Sequence, residues 1–300
     1  MPPTAVLSRR QAGLVLGVLV LGGVVESRLG AAQPRATAPE SRYFTASDGT
    51  RLHYLYAGPA SGRMLVLIPG WTMPAWIFTP QIAELSRQYR VIAFDPRAQG
   101  ESEVARGGYT HMRRAQDIAE LLGQLGPGPM VLVAWSLAVL ETLAYVKAHG
   151  EGRVDGLILV DNSVGEEPPP PAPLPLSGPK PPHEAAMRAF VHGMFRRPQS
   201  PAYLDRLTRA TLRVPEPASR ALLAYSVPRS YWREAIYGVT KPILYVVRPK
   251  FAAQAGNLTR NHPNAESVVL SNDVGHALFV DDPAGFNALV SDFLARKIWR

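Results

Sequence analysis

The chain has no cysteine, which excludes a disulfide framework, a thiolate metal site, a cysteine nucleophile and a lipid-modified N-terminal cysteine. Runs of one charge are also missing. The net charge of +8 comes from 32 Lys and Arg against 24 Asp and Glu scattered along 300 residues. No basic stripe able to follow a phosphate backbone is present, so no nucleic-acid partner is expected. Among the seven histidines no pair has the spacing and neighbours of a metal-ligand set, so neither a metal nor another cofactor is expected. Internal repeats are absent as well.

What the chain does have is 46% hydrophobic and 19% charged residues, the balance of one large globular domain with a sizeable core. Ahead of that domain, Arg9-Arg10 precede an apolar run, Ala12–Val25, and the small residues Gly30 and Ala32 fit cleavage before Gln33. Residues 1–32 therefore read as an export signal. The string Ser8–Leu14 resembles a twin-arginine signal. The alternative is an uncleaved anchor, although the run is shorter than the roughly 20 apolar residues a spanning helix needs. Membrane contact would then come only from residues 11–25. The expected location is periplasmic or secreted.

Residues 33–41 read as a linker and 42–298 as the folded domain. Arg42–Ala46 and Arg51–Ala57 flank Asp48-Gly49, a favoured hairpin turn. Four apolar runs of strand length follow, Met64–Ile68, Arg90–Phe94, Met130–Trp135 and Gly156–Val160, separated by helix-like segments. One of those helices shows Ile118, Leu121, Leu122 and Leu125 on one face. Alternation of this kind predicts an α/β fold with a mostly parallel, doubly wound sheet. The pattern breaks at Ser163, where a proline-dense stretch from Pro168 to Pro182 opens irregular helical sequence reaching Tyr237, read as an inserted cap at about 163–237. Pro242–Val247 and Ser267–Leu270 resume the sheet. An amphipathic helix with Phe286, Leu289, Val290, Phe293 and Leu294 ends the domain.

The chemistry centres on Ala134-Trp135-Ser136-Leu137-Ala138. An apolar strand runs into a serine with small residues two places before and after it, then into a helix-forming run. That is the layout of a nucleophile elbow, in which small flanking residues let strand and helix approach around a strained turn. The usual glycines are replaced by alanines, each one methyl larger. Pro69-Gly70-Trp71 directly follows the strand Met64–Ile68, where this architecture places an oxyanion loop. The N–H groups of Trp71 and Leu137 would then hold the negative oxygen of a tetrahedral intermediate. His276 lies after the last strand, and with an ordinary pKa near 6.5 it can accept the Ser136 proton at neutral pH. His53, His111, His149, His183, His192 and His262 sit in ordinary surface or loop contexts. Trp71, Trp76 and Trp135 border the proposed site, with Trp71 and Trp135 as candidate substrate-binding residues in an apolar acyl or alkyl pocket.

Together Leu67-Ile68-Pro69-Gly70-Trp71, Asp95-Pro96-Arg97-Ala98-Gln99-Gly100-Glu101-Ser102, Ala134–Ala138 and Asp273-Val274-Gly275-His276-Ala277 resemble the α/β-hydrolase superfamily, in particular its esterase-, perhydrolase- and haloperoxidase-like members. The resemblance covers residues 42 to 298. It implies an architectural role for Asp95 and Arg97, and a triad acid after the seventh strand. There the chain departs from the pattern, since no Asp or Glu stands between Lys241 and Glu266. Asp161, at the end of the strand after the elbow helix, is the best substitute, because some haloalkane dehalogenases place the acid there. A strand-end Asp that only caps the next turn is the competing reading. Asp273 and Asp281 would rather organise the loop of His276.

The expected activity is cleavage of a carboxylic ester or related acyl bond of a small molecule through an acyl-enzyme. A perhydrolase or haloperoxidase-like acyl transfer would use the same residues. A third reading is a non-catalytic protein holding a small ligand beneath the cap. Dehalogenase and epoxide hydrolase chemistry needs an Asp at the nucleophile position, where this chain has Ser136.

Overall fold

The computed structural model describes residues 38–170 and 181–299. The signal, most of the linker and the heart of the proline tract lie outside the described residues. Among the described residues no helix is long and apolar enough to cross a membrane.

The Asp48-Gly49 turn closes an antiparallel hairpin of β1 (Glu40–Thr45) and β2 (Arg51–Ala57), with Phe44 opposite Leu52. Gly49 takes φ 83°, where a side chain is disfavoured. β2 then pairs antiparallel with β4 (Arg90–Asp95). The remaining strands are parallel: β3 (Met64–Ile68), β5 (Met130–Trp135), β6 (Val154–Val160), β7 (Ile243–Val247) and β8 (Ala265–Val269). They line up as β1-β2-β4-β3-β5-β6-β7-β8. The fold is the mostly parallel α/β sheet with an N-terminal hairpin that the apolar runs predict.

Strands β3 and β5 are buried along their whole length, because helices cover both faces of the sheet. Met64, Val66 and Ile68 enter one core, and Leu65 and Leu67 the other. Each fully buried aliphatic side chain of this kind contributes about 1.5–3 kcal/mol, so the centre of the sheet is a rigid base for whatever its strand ends carry. Helices α1 (Thr79–Leu85), α2 (His111–Gln124) and α3 (Leu137–His149) precede the cap. In α2, Thr110 caps the N-terminus by accepting from the Arg113 N–H, and Ile118, Leu121 and Leu122 are buried. Helix α3 is buried from Leu137 to Val146, wedged between the sheet and its neighbours.

The cap region inserted between β6 and β7 is helical: α4 (His183–Gly193), α5 (Pro201–Leu212), α6 (Glu216–Ala221) and α7 (Arg229–Tyr237). Prolines at the first turns of α5 and α6 start these helices where a missing N–H costs nothing. Helices α8 (Ala252–Asn261), α9 (Leu278–Asp281) and α10 (Pro283–Phe293) complete the domain.

Three histidines expected in surface or loop settings are buried instead: His53, His111 and His262. Packing overrides local context in each case. His53 Nδ1 lies 2.6 Å from Asp95, and His262 Nε2 lies 3.1 Å from the Val239 carbonyl. His111 packs against the rings of Tyr225 and Trp232.

Candidate active site

Parallel strands end together at one edge of the sheet, where ligands of α/β proteins bind. Here Ser136 directly follows β5 and Asp161 directly follows β6, while His276 comes after β8. Ser136 has φ 56° and ψ −123°, a strained conformation that costs about 1–3 kcal/mol. Its N–H donates to the Val160 carbonyl at 2.8 Å, and its carbonyl accepts from the Asn162 amide at 2.8 Å. The residues flanking the elbow, Ala134 and Ala138, are fully buried, so the two methyls fit. Thr72 (φ 60°) and Asp161 (φ 48°) are also left-handed. Of the four non-glycine residues with positive φ among those described, three therefore stand around one point.

The structure brings Ser136, His276 and Asp161 together. His276 Nε2 is 2.8 Å from Ser136 Oγ, and His276 Nδ1 is 2.6 Å from Asp161 Oδ2. Asp161 is fully buried in its side chain, while the His276 side chain is 17% exposed, so the imidazole can be reached from outside. Asp161 does not merely cap a local turn. Its other partners come from Arg248, whose backbone N–H donates to Oδ1 at 3.0 Å and whose Nε donates to Oδ2 at 2.7 Å. Burial pushes the Asp161 pKa up, but the hydrogen bond and charge of His276 and the charge of Arg248 outweigh it, leaving the carboxyl below its ordinary value. For His276, burial lowers the pKa and the Asp161 hydrogen bond and charge raise it. The nearby cations Arg248 and Lys250 lower it further, and the net shift is downward.

Gly70 touches Ser136. A Cβ there would stand 2.8 Å from Ser136 Cβ and 3.3 Å from its Oγ, so only glycine allows the Pro69–Trp71 loop this close. Leu137 N–H opens α3 and lacks an intrahelical acceptor. The loop is held from behind by Gln99, whose amide donates to the carbonyls of Gly70 (3.0 Å) and Met73 (2.7 Å) and accepts from the Thr72 N–H (3.2 Å). Arg114 Nη1 donates to Gln99 at 2.9 Å, and Arg114 Nε lies 3.0 Å from Glu141 of α3. This buried line escaped the sequence reading. Its one signal in sequence was Glu141, the lone charge in the run Leu137–Val146.

Trp71 is half-buried. Its indole donates to the Ser219 carbonyl at 2.8 Å, and its ring meets Phe190 edge-on, which ties the loop to α6 and α4. Trp135 is buried, and its indole donates to the His276 carbonyl at 2.8 Å. It lies under the histidine loop, its ring 5.1 Å from that of His276. Asp281 organises the same loop, accepting from the Gly275 N–H at 2.6 Å and from the Arg196 N–H at 2.8 Å. Asp273 accepts from Ser271 Oγ at 3.1 Å. Arg97 is buried between Asp117 and Asp48, an architectural place. A cavity of about 300 Å³ is lined by Leu140 of α3, Asn162 and Ser163 after β6, and Tyr225, Arg229 and Trp232 at α7, among others, and by none of Ser136, His276 or Trp71.

The sequence model of the alpha/beta hydrolase fold family matches residues 63–248. A non-heme haloperoxidase of Rhodococcus erythropolis is 36% identical over 119 residues, which is 39% of this chain and 43% of that protein. The chain thus matches less than half the length of this relative. Among solved structures, an esterase from Rhodococcus sp. ECU1013 superposes with a TM-score of 0.71 at 24% identity, covering 86% of this chain and 99% of that one. An esterase from Exiguobacterium antarcticum does so with 0.70 at 21% identity, covering 85% and 100%. At such identities the likeness is one of fold.

Proposed function

Because this chain belongs to the α/β-hydrolase fold family, we propose that it is a serine hydrolase cleaving a carboxylic ester or related acyl bond of a small molecule. The observation that carries this reading is the unbroken line from Ser136 Oγ through His276 to Asp161 Oδ2, at 2.8 and 2.6 Å. Ser136 attacks the substrate carbonyl as His276 Nε2 takes its proton, and Asp161 stabilises the imidazolium without itself being protonated. The N–H groups of Trp71 and Leu137 hold the oxyanion. His276 then returns the proton to the leaving alcohol, and the same base activates the water that frees the acid.

Labelling by a fluorophosphonate probe tests the reading: one phosphonyl adduct on Ser136 is expected, and an unlabelled, folded protein would refute it. The haloperoxidase relative favours one second reading, acyl transfer to hydrogen peroxide by the same residues. Peracid formation from acetate and peroxide separates the two. Export of the mature chain remains part of the proposal, with Gln33 as the expected first residue by mass spectrometry of native material.

A further inference from the structure

The post-β7 position is where the superfamily resemblance places a triad acid, and in this chain it holds a cation. β6 and β7 are adjacent parallel strands with Val160 opposite Val246, so the residues that follow them, Asp161 and Arg248, emerge side by side. Arg248 grips the Asp161 carboxylate from two directions, backbone N–H to Oδ1 and Nε to Oδ2. Oδ2 also receives the His276 Nδ1–H. The grip fixes the carboxylate plane, because both oxygens are engaged by donors on one rigid strand end. Its other consequence concerns charge. Arg248 Nη2 lies 3.4 Å from His276 Nδ1, and that nitrogen's proton already goes to Asp161. The guanidinium is therefore a fixed positive charge at the edge of the imidazole.

We propose that Arg248 is the positioning residue of the relocated triad: it aims the Asp161 carboxylate at His276, and its charge keeps the imidazole in the neutral, proton-accepting form. The inference rests on the serine-hydrolase reading above. The charged groups acting on His276 are Asp161, which follows β6, and Arg248 and Lys250, which follow β7; His276 also meets Ser136 and Trp135. Asp161 favours the imidazolium and the two cations oppose it. Lys250 touches neither Asp161 nor His276 through a hydrogen bond among the described residues, so it acts through charge alone, whereas Arg248 acts through charge and geometry.

That difference gives the test, read as turnover of a short-chain aryl ester across pH on the full chain. Arg248→Met removes the clamp and the charge. We expect kcat to fall about tenfold with KM nearly unchanged, and the acid limb of kcat/KM to move toward neutral pH by up to about one unit. Arg248→Lys keeps the charge without the fork, so the limb should stay in place while kcat remains reduced. Lys250→Met should move the limb in the same direction as Arg248→Met and leave kcat alone. A pH profile in Arg248→Met that stays still, or shifts to lower pH, overturns the proposal, as does a purely thermal destabilisation with wild-type kinetics. Should Arg248→Met fail to fold, the Lys variant and Lys250→Met decide between the same outcomes. Fluorophosphonate labelling of the wild type separates the two layers: no adduct on Ser136 sinks the hydrolase reading itself, whereas an adduct together with an unmoved Arg248→Met profile sinks only the proposal for Arg248.

Discussion

Two Ser–His–Asp lines run through this molecule with nearly the same distances. Ser136, His276 and Asp161 are joined at 2.8 and 2.6 Å. Ser41, His53 and Asp95 are joined at 2.7 and 2.6 Å. The backbone around each serine separates them. Ser136 sits at φ 56° on a tight turn, against Gly70 and at the start of a helix. Ser41 sits in the ladder of an edge strand, opposite Leu55, with no helix start nearby. The two acids differ as well. Asp95 ties loops together, accepting from the N–H groups of Ala75 and Glu101 as well as from His53. The comparison teaches that hydrogen-bond distance alone does not make a nucleophile. On the proposed reading, a strained, presented hydroxyl with unengaged N–H donors beside it is what sets Ser136 apart.

The largest effect that can break the comparison is Ser136→Ala. Alanine fits the elbow, so the fold should persist while aryl-ester turnover falls by about a million-fold and fluorophosphonate labelling disappears. Labelling that persists in this variant would place the reactive serine elsewhere, with Ser41 the first suspect. Asp161→Asn comes next. The amide can hold the wrong imidazole tautomer and cannot stabilise the imidazolium, so kcat should drop by about 10⁴-fold with little change in KM, and Tm should fall as well because the buried partner of Arg248 is lost. A loss of only a few-fold would mean that Ser136 and His276 work as a dyad.

Much of this was legible because the signals are local. Apolar runs such as Met130–Trp135 marked the strands of the sheet, and the small residues around Ser136 marked the elbow. Asp161 stood in sequence as one of two readings, since its partner is 115 residues away and only the folded sheet edge brings them together. The role of Arg248 was hidden for a related reason. Its meaning depends on β6 and β7 being neighbours, which the sequence order of strands does not state. His53 was misread because it lies in a strand of the N-terminal hairpin, and its burial came from the pairing of β2 with β4. The line Gln99–Arg114–Glu141 joins three separate segments, and no spacing rule reaches across them.

Asp95→Asn tests the second line where it is strongest. The carboxylate is 2% exposed and holds two backbone N–H groups and an imidazole. An amide in its place turns an acceptor toward one of these partners into a donor, and a buried polar mismatch of this kind costs about 1–3 kcal/mol or more. The denaturation midpoint should fall accordingly, while the folded fraction keeps its fluorophosphonate labelling at Ser136. Loss of labelling in fully folded protein would instead make Asp95 part of the chemistry, through its hold on Ala75 just beyond the oxyanion loop.

Ser41→Ala should have the smallest effect. The serine is exposed on an edge strand and gives one hydrogen bond, to His53 Nε2. Water can replace the hydroxyl there, so the net loss should stay under about 1 kcal/mol, a shift of no more than about 4 °C in Tm for a domain this size. Turnover and labelling should equal the wild type's at every pH, because nothing in the line from Ser136 to Asp161 touches this strand. The paired variant Ser41→Ala with Ser136→Ala sharpens the point. It should be as inactive as Ser136→Ala alone, to within error, if only the strained serine reacts. Any further drop would show that the hydroxyl on the flat strand had supplied the residual activity.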